Sequence, residues 1–199
     1  MDLLQIFTLV TGVAYIVLEI RQKNLMWVIG VLTSVTAMWV FFSKGLYASF
    51  GLNTYYLITS FIGLWHWRRD KEMVSDDAVH LNRLTWKTLA ASAVLAVGGT
   101  MALAQLMNLF ENPMSWLDSA VTVLSAVATW WLVRSYIQQW WLWIVADSLS
   151  VLLCAAQGMW WMALLYAAYA LSAVYGYIYW RRHGAYVPDQ TDASGFMKI

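Results

Sequence analysis

Apolar residues run along this chain in long unbroken blocks, interrupted by short clusters of charge, glycine and proline. The blocks fall near 4–20, 26–43, 46–67, 88–109, 117–133, 139–156 and 159–180. An apolar run of about 17–25 residues is enough to carry a helix across the hydrocarbon core of a bilayer, so the pattern predicts seven transmembrane helices. Arg21-Gln22-Lys23-Asn24 separates the first two blocks, and Ser43-Lys44-Gly45 separates the second from the third. The longest polar stretch, 68–87, carries Arg68, Arg69, Asp70, Lys71, Glu72, Asp76 and Asp77. A further break holds Glu111-Asn112-Pro113, where proline stops any helix running in from Asn108. The tail after Arg182 is polar, contains Gly and Pro, and is expected to be mobile.

Composition agrees with a lipid-facing protein. Of 199 residues, 61% are hydrophobic and 12% charged, and the mean hydropathy is +0.58. A soluble domain carries about 25% charged residues. The 14 Trp and 11 Tyr suit the headgroup level, where amphipathic rings collect. Trp65, Trp67, Trp130, Trp131, Trp140, Trp141, Trp160 and Trp161 sit at block ends and are expected to form such belts. A net charge of +1 excludes a strongly basic nucleic-acid surface. The single cysteine, Cys154, offers neither a disulfide framework nor a cysteine metal cluster. The start, Met1-Asp2-Leu3-Leu4, lacks the basic region of a signal peptide, so the first block is expected to be a retained span.

Basic residues predict the orientation. With seven spans, the loops at 21–25, 68–87 and 134–138 share one side with the C-terminus. That side holds Arg21, Lys23, Arg68, Arg69, Lys71, Arg83, Lys87, Arg134, Arg181, Arg182 and Lys198, whereas the other holds Lys44 alone. The positive-inside rule then puts the C-terminus in the cytoplasm and the N-terminus outside, in a bacterial inner membrane.

Sliding the chain against itself by 113 positions superposes Arg21 on Arg134, Trp27 on Trp140, Gly45 on Gly158, Tyr56 on Tyr169, Gly63 on Gly176, Trp67 on Trp180 and Arg68 on Arg181. Coincident Trp, Gly and Arg at one offset indicate duplication. The expected organisation is a three-helix repeat over 1–68, a cytoplasmic loop with a connecting helix over 69–113, a second three-helix repeat over 114–182 and a flexible cytoplasmic tail over 183–199. An odd unit followed by one connecting helix re-enters the membrane with the same polarity. The fold is thus an all-α membrane protein of seven helices in a 3+1+3 parallel repeat, as in SWEET-type transporters. Substrate sites in such folds lie between the repeats near the bilayer midplane.

The segment from Trp116 to Trp180, with Trp116-Leu-Asp118-Ser119, Arg134-Ser-Tyr136-Ile-Gln138-Gln-Trp140, Trp140-x-x-Trp143-x-x-x-Asp147 and Gly176-x-x-x-Trp180, resembles the C-terminal half of the Pnu family of bacterial vitamin transporters. "LEIRQKNLMW" and "NTYYLITSFIGLWHW" resemble its weaker first copy, and the likeness covers about 4–182. It implies uptake of a B vitamin, nicotinamide riboside first, by facilitated diffusion with alternating access, and trapping of the product by a cytoplasmic kinase. Riboside-type members often carry Asn where this chain has Asp147, and that departure brings thiamine into contention. The implied partners are the small vitamin, membrane lipid and the kinase, with no nucleic acid; a homo-oligomer is compatible with the pattern.

An ionisable residue in mid-membrane is costly and faces a bundle interior or a wet cavity. Asp147 is central in the sixth block, and its repeat mate is Ser34. A carboxylate there suits a pyridinium or thiazolium cation. Trp143 lies one turn earlier on the same face and can close over a ligand. At similar depth lie Asn53, Tyr56, Thr122, Ser125, Ser150, Tyr166 and Tyr169; tyrosine faces can stack on a flat cation, and the hydroxyls and amide can bond ribose or hydroxyethyl groups. Each of these also has a structural reading as a packing contact, as does Asp147 as a hydrogen-bonded lock. Asp118 is expected to cap the fifth helix, and Glu19 to serve the interface beside Arg21. No P-loop, dinucleotide fingerprint, metal-ligand spacing or nucleophile–base pair is present, so no cofactor, metal or catalytic residue is expected. An integral-membrane enzyme would need several converging ionisable groups, and a scaffold would have no central polar cluster.

Overall fold

The structure, a computed structural model, describes residues 13–43, 47–74, 78–109 and 115–188. Within them each apolar block is helical, since a backbone in hydrocarbon has no solvent for its N–H and C=O groups and must satisfy them internally. Helical turns over 13–20 form α1. They are followed by α2 (Leu25–Ser43), α3 (Tyr47–Lys71), α4 (Trp86–Asn108), α5 (Ser115–Val133), α6 (Gln139–Ala156) and α7 (Trp160–His183). Residues 4–12 of the expected first span lie outside the described residues. α3 continues past the expected end at 67, and its last turn carries Arg68, Arg69 and Lys71, cations that the negative end of the helix dipole favours. Among the described residues α4, α5, α6 and α7 are each long and apolar enough to cross a membrane. Large apolar side chains such as Leu32, Val35, Trp39, Val94, Leu95, Leu152, Leu164 and Leu171 are exposed, as a lipid-facing surface requires.

The chain divides into two compact units, the first comprising Met1–Asn82, Val133–Ser135 and Arg182–Ile199, the second Arg83–Leu132 and Tyr136–Arg181. In the first unit α2 packs on α3. The Trp27 indole lies flat over Gly63, where a β-carbon would come within 2.5 Å of Cε2 and Cζ2, and its edge meets Trp67 at a 5.0 Å centroid distance and 77°. Beyond α3, Val79–Leu81 (β1) pairs in parallel with Gly184–Tyr186 (β2). The tail expected to be mobile therefore begins as a strand, which the sequence does not signal, because three residues carry no readable alternation.

Gln22 clasps this strand pair. Its Oε1 accepts from the His80 backbone N–H at 2.8 Å, while its Nε2 donates to the His80 carbonyl at 3.0 Å and to Ser135 Oγ at 3.3 Å. Asn82 completes the knot, donating from Nδ2 to Asp70 Oδ2 at 2.8 Å and to the Arg134 carbonyl at 3.0 Å, while Arg69 pairs with Asp70 at 3.1 Å. His80 is buried beneath these bonds against the edge of Trp67, 5.7 Å between centroids. Burial outweighs the favourable Asp70 charge and lowers the His80 pKa to about 4. An unfolded histidine protonates near 6.5, so between those values the opened segment binds more protons than the closed one. The clasp should accordingly be fully stable above about pH 6.5 and weaken progressively toward pH 4. Limited proteolysis across residues 78–88 should accelerate over that window in the wild type and stay flat in His80→Phe; an equal response in both would discard His80 as the titrating group.

The second unit repeats the first unit's indole–glycine lock. Trp140 covers Gly176, where a β-carbon would lie 2.5 Å from Cη2, and meets Trp180 edge-on at 5.4 Å and 88°. α4 is joined to α5 by the Trp131 Nε1 bond to Ser92 Oγ at 3.0 Å and by Gly99 against Val123; among the described residues of α4 only Ala104 is buried. Trp67, Trp131 and Trp140 are thus core residues, not belt residues as expected: Gly176 opens space for the Trp140 indole, Trp67 packs on Trp27, and Trp131 is tied to α4 through Ser92. Trp65, Trp141, Trp160 and Trp161 are exposed, and the Arg69 guanidinium sits 5.1 Å over the Trp65 ring. Asp118 is not a cap: α5 starts at Ser115, which leaves Asp118 in the first turn, where the helix dipole still favours a carboxylate. Glu19 is buried, within electrostatic reach of Tyr15.

The turns closing α1 and α5 match bond for bond at the 113-residue offset. Lys23 N–H bonds the Leu18 carbonyl and Tyr136 N–H bonds that of Trp131; Met26 then bonds Lys23 as Gln139 bonds Tyr136, and Trp27 bonds Asn24 as Trp140 bonds Ile137. These are helix-ending turns of the Schellman type. Among the described residues the two non-glycine positions with positive φ are the matching pair, Gln22 at 49° and Ser135 at 55°.

Candidate functional site

The second unit holds most of the expected site. Along α6, residues 139, 143, 147 and 150 follow a spacing of four, four and three, so they line one face. On that face Gln139, Asp147 and Ser150 are buried and Trp143 is half-buried. Asp147 is 8% exposed, and among the described residues none donates a hydrogen bond to its carboxyl. Tyr166 and Tyr169 of α7 lie within electrostatic reach of Asp147 and stand edge to face, 6.0 Å and 89° apart. Asp118 of α5 also reaches Tyr166. The arrangement is a carboxyl group within electrostatic reach of two tyrosine rings, a combination that suits a flat organic cation.

The hydroxyls contribute less than their number suggests. Ser150 donates to the Ala146 carbonyl at 2.8 Å and Thr122 to that of Asp118 at 2.9 Å. Each hydroxyl has one proton, so these two can accept from a ligand but not donate to it. Ser125 is half-buried one turn beyond Thr122 on α5. Ser34, Asn53 and Tyr56 belong to the first unit: Ser34 is buried on α2, and Asn53 and Tyr56 are half-buried on α3. There Tyr56 tilts against Tyr55 at 5.7 Å and lends its carbonyl to Ser60 at 2.7 Å.

A family model described as "Nicotinamide mononucleotide transporter" matches residues 2–182. The chain belongs to this transporter family. It is a multi-pass membrane protein. The transporter is 26% identical over 175 residues to the nicotinamide riboside transporter PnuC of Haemophilus influenzae, covering 87% of this chain and 76% of that one. It is 23% identical to the riboflavin/roseoflavin transporter RibM of Streptomyces davaonensis, covering 86% and 81%. Among solved structures, a crystal structure of the vitamin B3 transporter PnuC matches with a TM-score of 0.63 and 26% identity, covering 87% of this chain and 80% of that one.

One residue on the transporter's α6 face escaped the sequence reading. Gln139 is fully buried, and neither end of its carboxamide has a partner. The Trp143 Nε1 one turn on is likewise buried and unpartnered. A glutamine at the edge of a basic loop reads as a solvated residue; its repeat mate, Met26, was the available signal that the position is internal.

Proposed function

We propose that this chain is an inner-membrane permease that takes up a flat, permanently cationic B vitamin, nicotinamide riboside first, by facilitated diffusion with alternating access. The single observation that carries the reading is the buried, unbonded Asp147 carboxyl on the α6 face with Trp143, in reach of Tyr166 and Tyr169. Removing a lone carboxyl from water is costly, and a transient cationic ligand offsets that cost only while bound. The names of the relatives support the vitamin class. Seven spans in a 3+1+3 parallel repeat are supported by the matched turns at 18–27 and 131–140 and by the two indole–glycine locks. The basic loops support a cytoplasmic C-terminus and an external N-terminus. Phosphorylation by a cytoplasmic kinase then lowers the internal concentration of the free vitamin and so keeps its gradient inward.

Thiamine is a second reading, and Asp147 itself favours it: a carboxyl can accept but, when ionised, cannot donate to the nicotinamide carboxamide oxygen. In proteoliposomes without ATP or an ion gradient, internal unlabelled nicotinamide riboside should drive uptake of the labelled vitamin, with thiamine and riboflavin as competitors. Uptake that appears only with an imposed proton or sodium gradient would recast the protein as a symporter, and stronger competition by thiamine would reverse the order of substrates.

A further inference from the structure

The duplicated helices differ along one stripe. On α2 the stripe is Met26, Gly30, Ser34 and Ala37; at the matching positions α6 carries Gln139, Trp143, Asp147 and Ser150. Met26 and Gln139 are both 0% exposed, and they share the same local backbone bonding, to Lys23 and Tyr136 respectively. The two side chains are similar in length and volume. The α2 copy therefore demonstrates that a thioether fills this position in a folded helix, whereas the α6 copy buries a carboxamide whose oxygen and nitrogen both lack partners. Burying a polar group without a hydrogen bond is unfavourable, and the full desolvation penalty falls on the group left unmade.

We infer that Gln139 is a substrate-recognising residue: its carboxamide binds the hydroxyl-bearing end of the vitamin, at the end of α6 next to the basic loop. A hydroxyl both donates and accepts, as does a carboxamide, so one ligand hydroxyl can satisfy either end of Gln139 and a pair can satisfy both. Gln139 stands eight residues before Asp147 on the same face, roughly 12 Å along the axis at 1.5 Å per residue, with the unpartnered Trp143 N–H between them. That spacing separates a polar terminus from a cationic ring in one extended ligand. Nicotinamide riboside, thiamine and riboflavin each carry at least one hydroxyl on an arm attached to the ring system. The inference rests on the vitamin-permease reading and assigns the end of the ligand distal to Asp147.

The test compares wild type with Gln139→Met, the residue the α2 copy uses. Binding would be measured by calorimetry for each of the three vitamins and for an analogue of each lacking the terminal hydroxyl, alongside the melting temperature without ligand. The wild type should favour the hydroxylated form about tenfold or more, and Gln139→Met should bring that ratio close to one. The unliganded variant should melt no lower than wild type. A hydroxyl preference that persists in Gln139→Met overturns the assignment while leaving the vitamin reading intact. If wild type binds none of the vitamins, the vitamin reading falls, and the melting temperature decides Gln139: a lower value shows a structural amide and overturns the inference, and an equal or higher one supports an amide held for a polar ligand.

Discussion

Gly176→Ala is expected to destabilise the protein by about 1–3 kcal/mol, the usual cost of forcing an extra carbon into a filled core. The new β-carbon would lie 2.5 Å from Trp140 Cη2 and 2.6 Å from Cζ3, distances that atoms do not adopt, so the indole must move. It cannot move freely, because its other side is set edge-on against Trp180 and it is 2% exposed. Each kcal/mol corresponds to roughly 2–4 °C in melting temperature for a chain of this length. Trp140→Phe removes the ring that meets the intruding carbon, so the double variant should lose less stability than the sum of the two single variants. Gly63→Ala should behave alike against Trp27, which a β-carbon would meet at the same 2.5 Å. Strict additivity of Gly176→Ala and Trp140→Phe would show that the close approach is not what holds α6 to α7.

Asp147→Asn is expected to weaken binding of a cationic vitamin by about 1.5–3 kcal/mol, the range for a hydrogen bond to a charged group, or roughly ten- to more than a hundredfold. The two side chains are nearly isosteric, so the packing around residue 147 should survive and the melting temperature should stay level or rise. If the carboxyl selects thiamine over the riboside, the amide should narrow or reverse that preference, because it can pair with a carboxamide. Ser34→Ala, at the matching position on α2, removes no charge and should cost less. Calorimetric affinities for both vitamins decide the matter: unchanged affinity with a lower melting temperature would make Asp147 a structural lock and move the site elsewhere.

The helices were legible because hydrocarbon imposes a simple rule, a long apolar run between polar breaks, and Leu25–Ser43 or Gln139–Ala156 obey it without reference to any other part of the chain. Asp147 was legible for the converse reason, as a carboxyl where the rule forbids one. What the sequence hid is what only tertiary contact creates. Val79–Leu81 and Gly184–Tyr186 are strands because each supplies the other's hydrogen bonds, and no local pattern in Val-His-Leu or Gly-Ala-Tyr announces it. Trp67 and Trp140 looked like interface residues because tryptophan at a span end usually is one; what draws each inward stands on another helix, Trp27 for the first and Gly176 for the second. Gln139 was masked by its neighbours Arg134 and Gln138, and only the comparison with Met26 exposes it as internal.

The pairing of β1 with β2 also bears on how the protein is made. β1 leaves the ribosome before α4, but its partner follows α7, so the strand waits through the insertion of four more helices before its ladder can close. Gln22 is synthesised first and in the folded chain bonds the His80 backbone from its side chain, at the middle residue of β1. A C-terminal fusion joined before Tyr186 would compete with that closing step, whereas one placed after Pro188 leaves the Val187 bond to the Leu81 carbonyl in place.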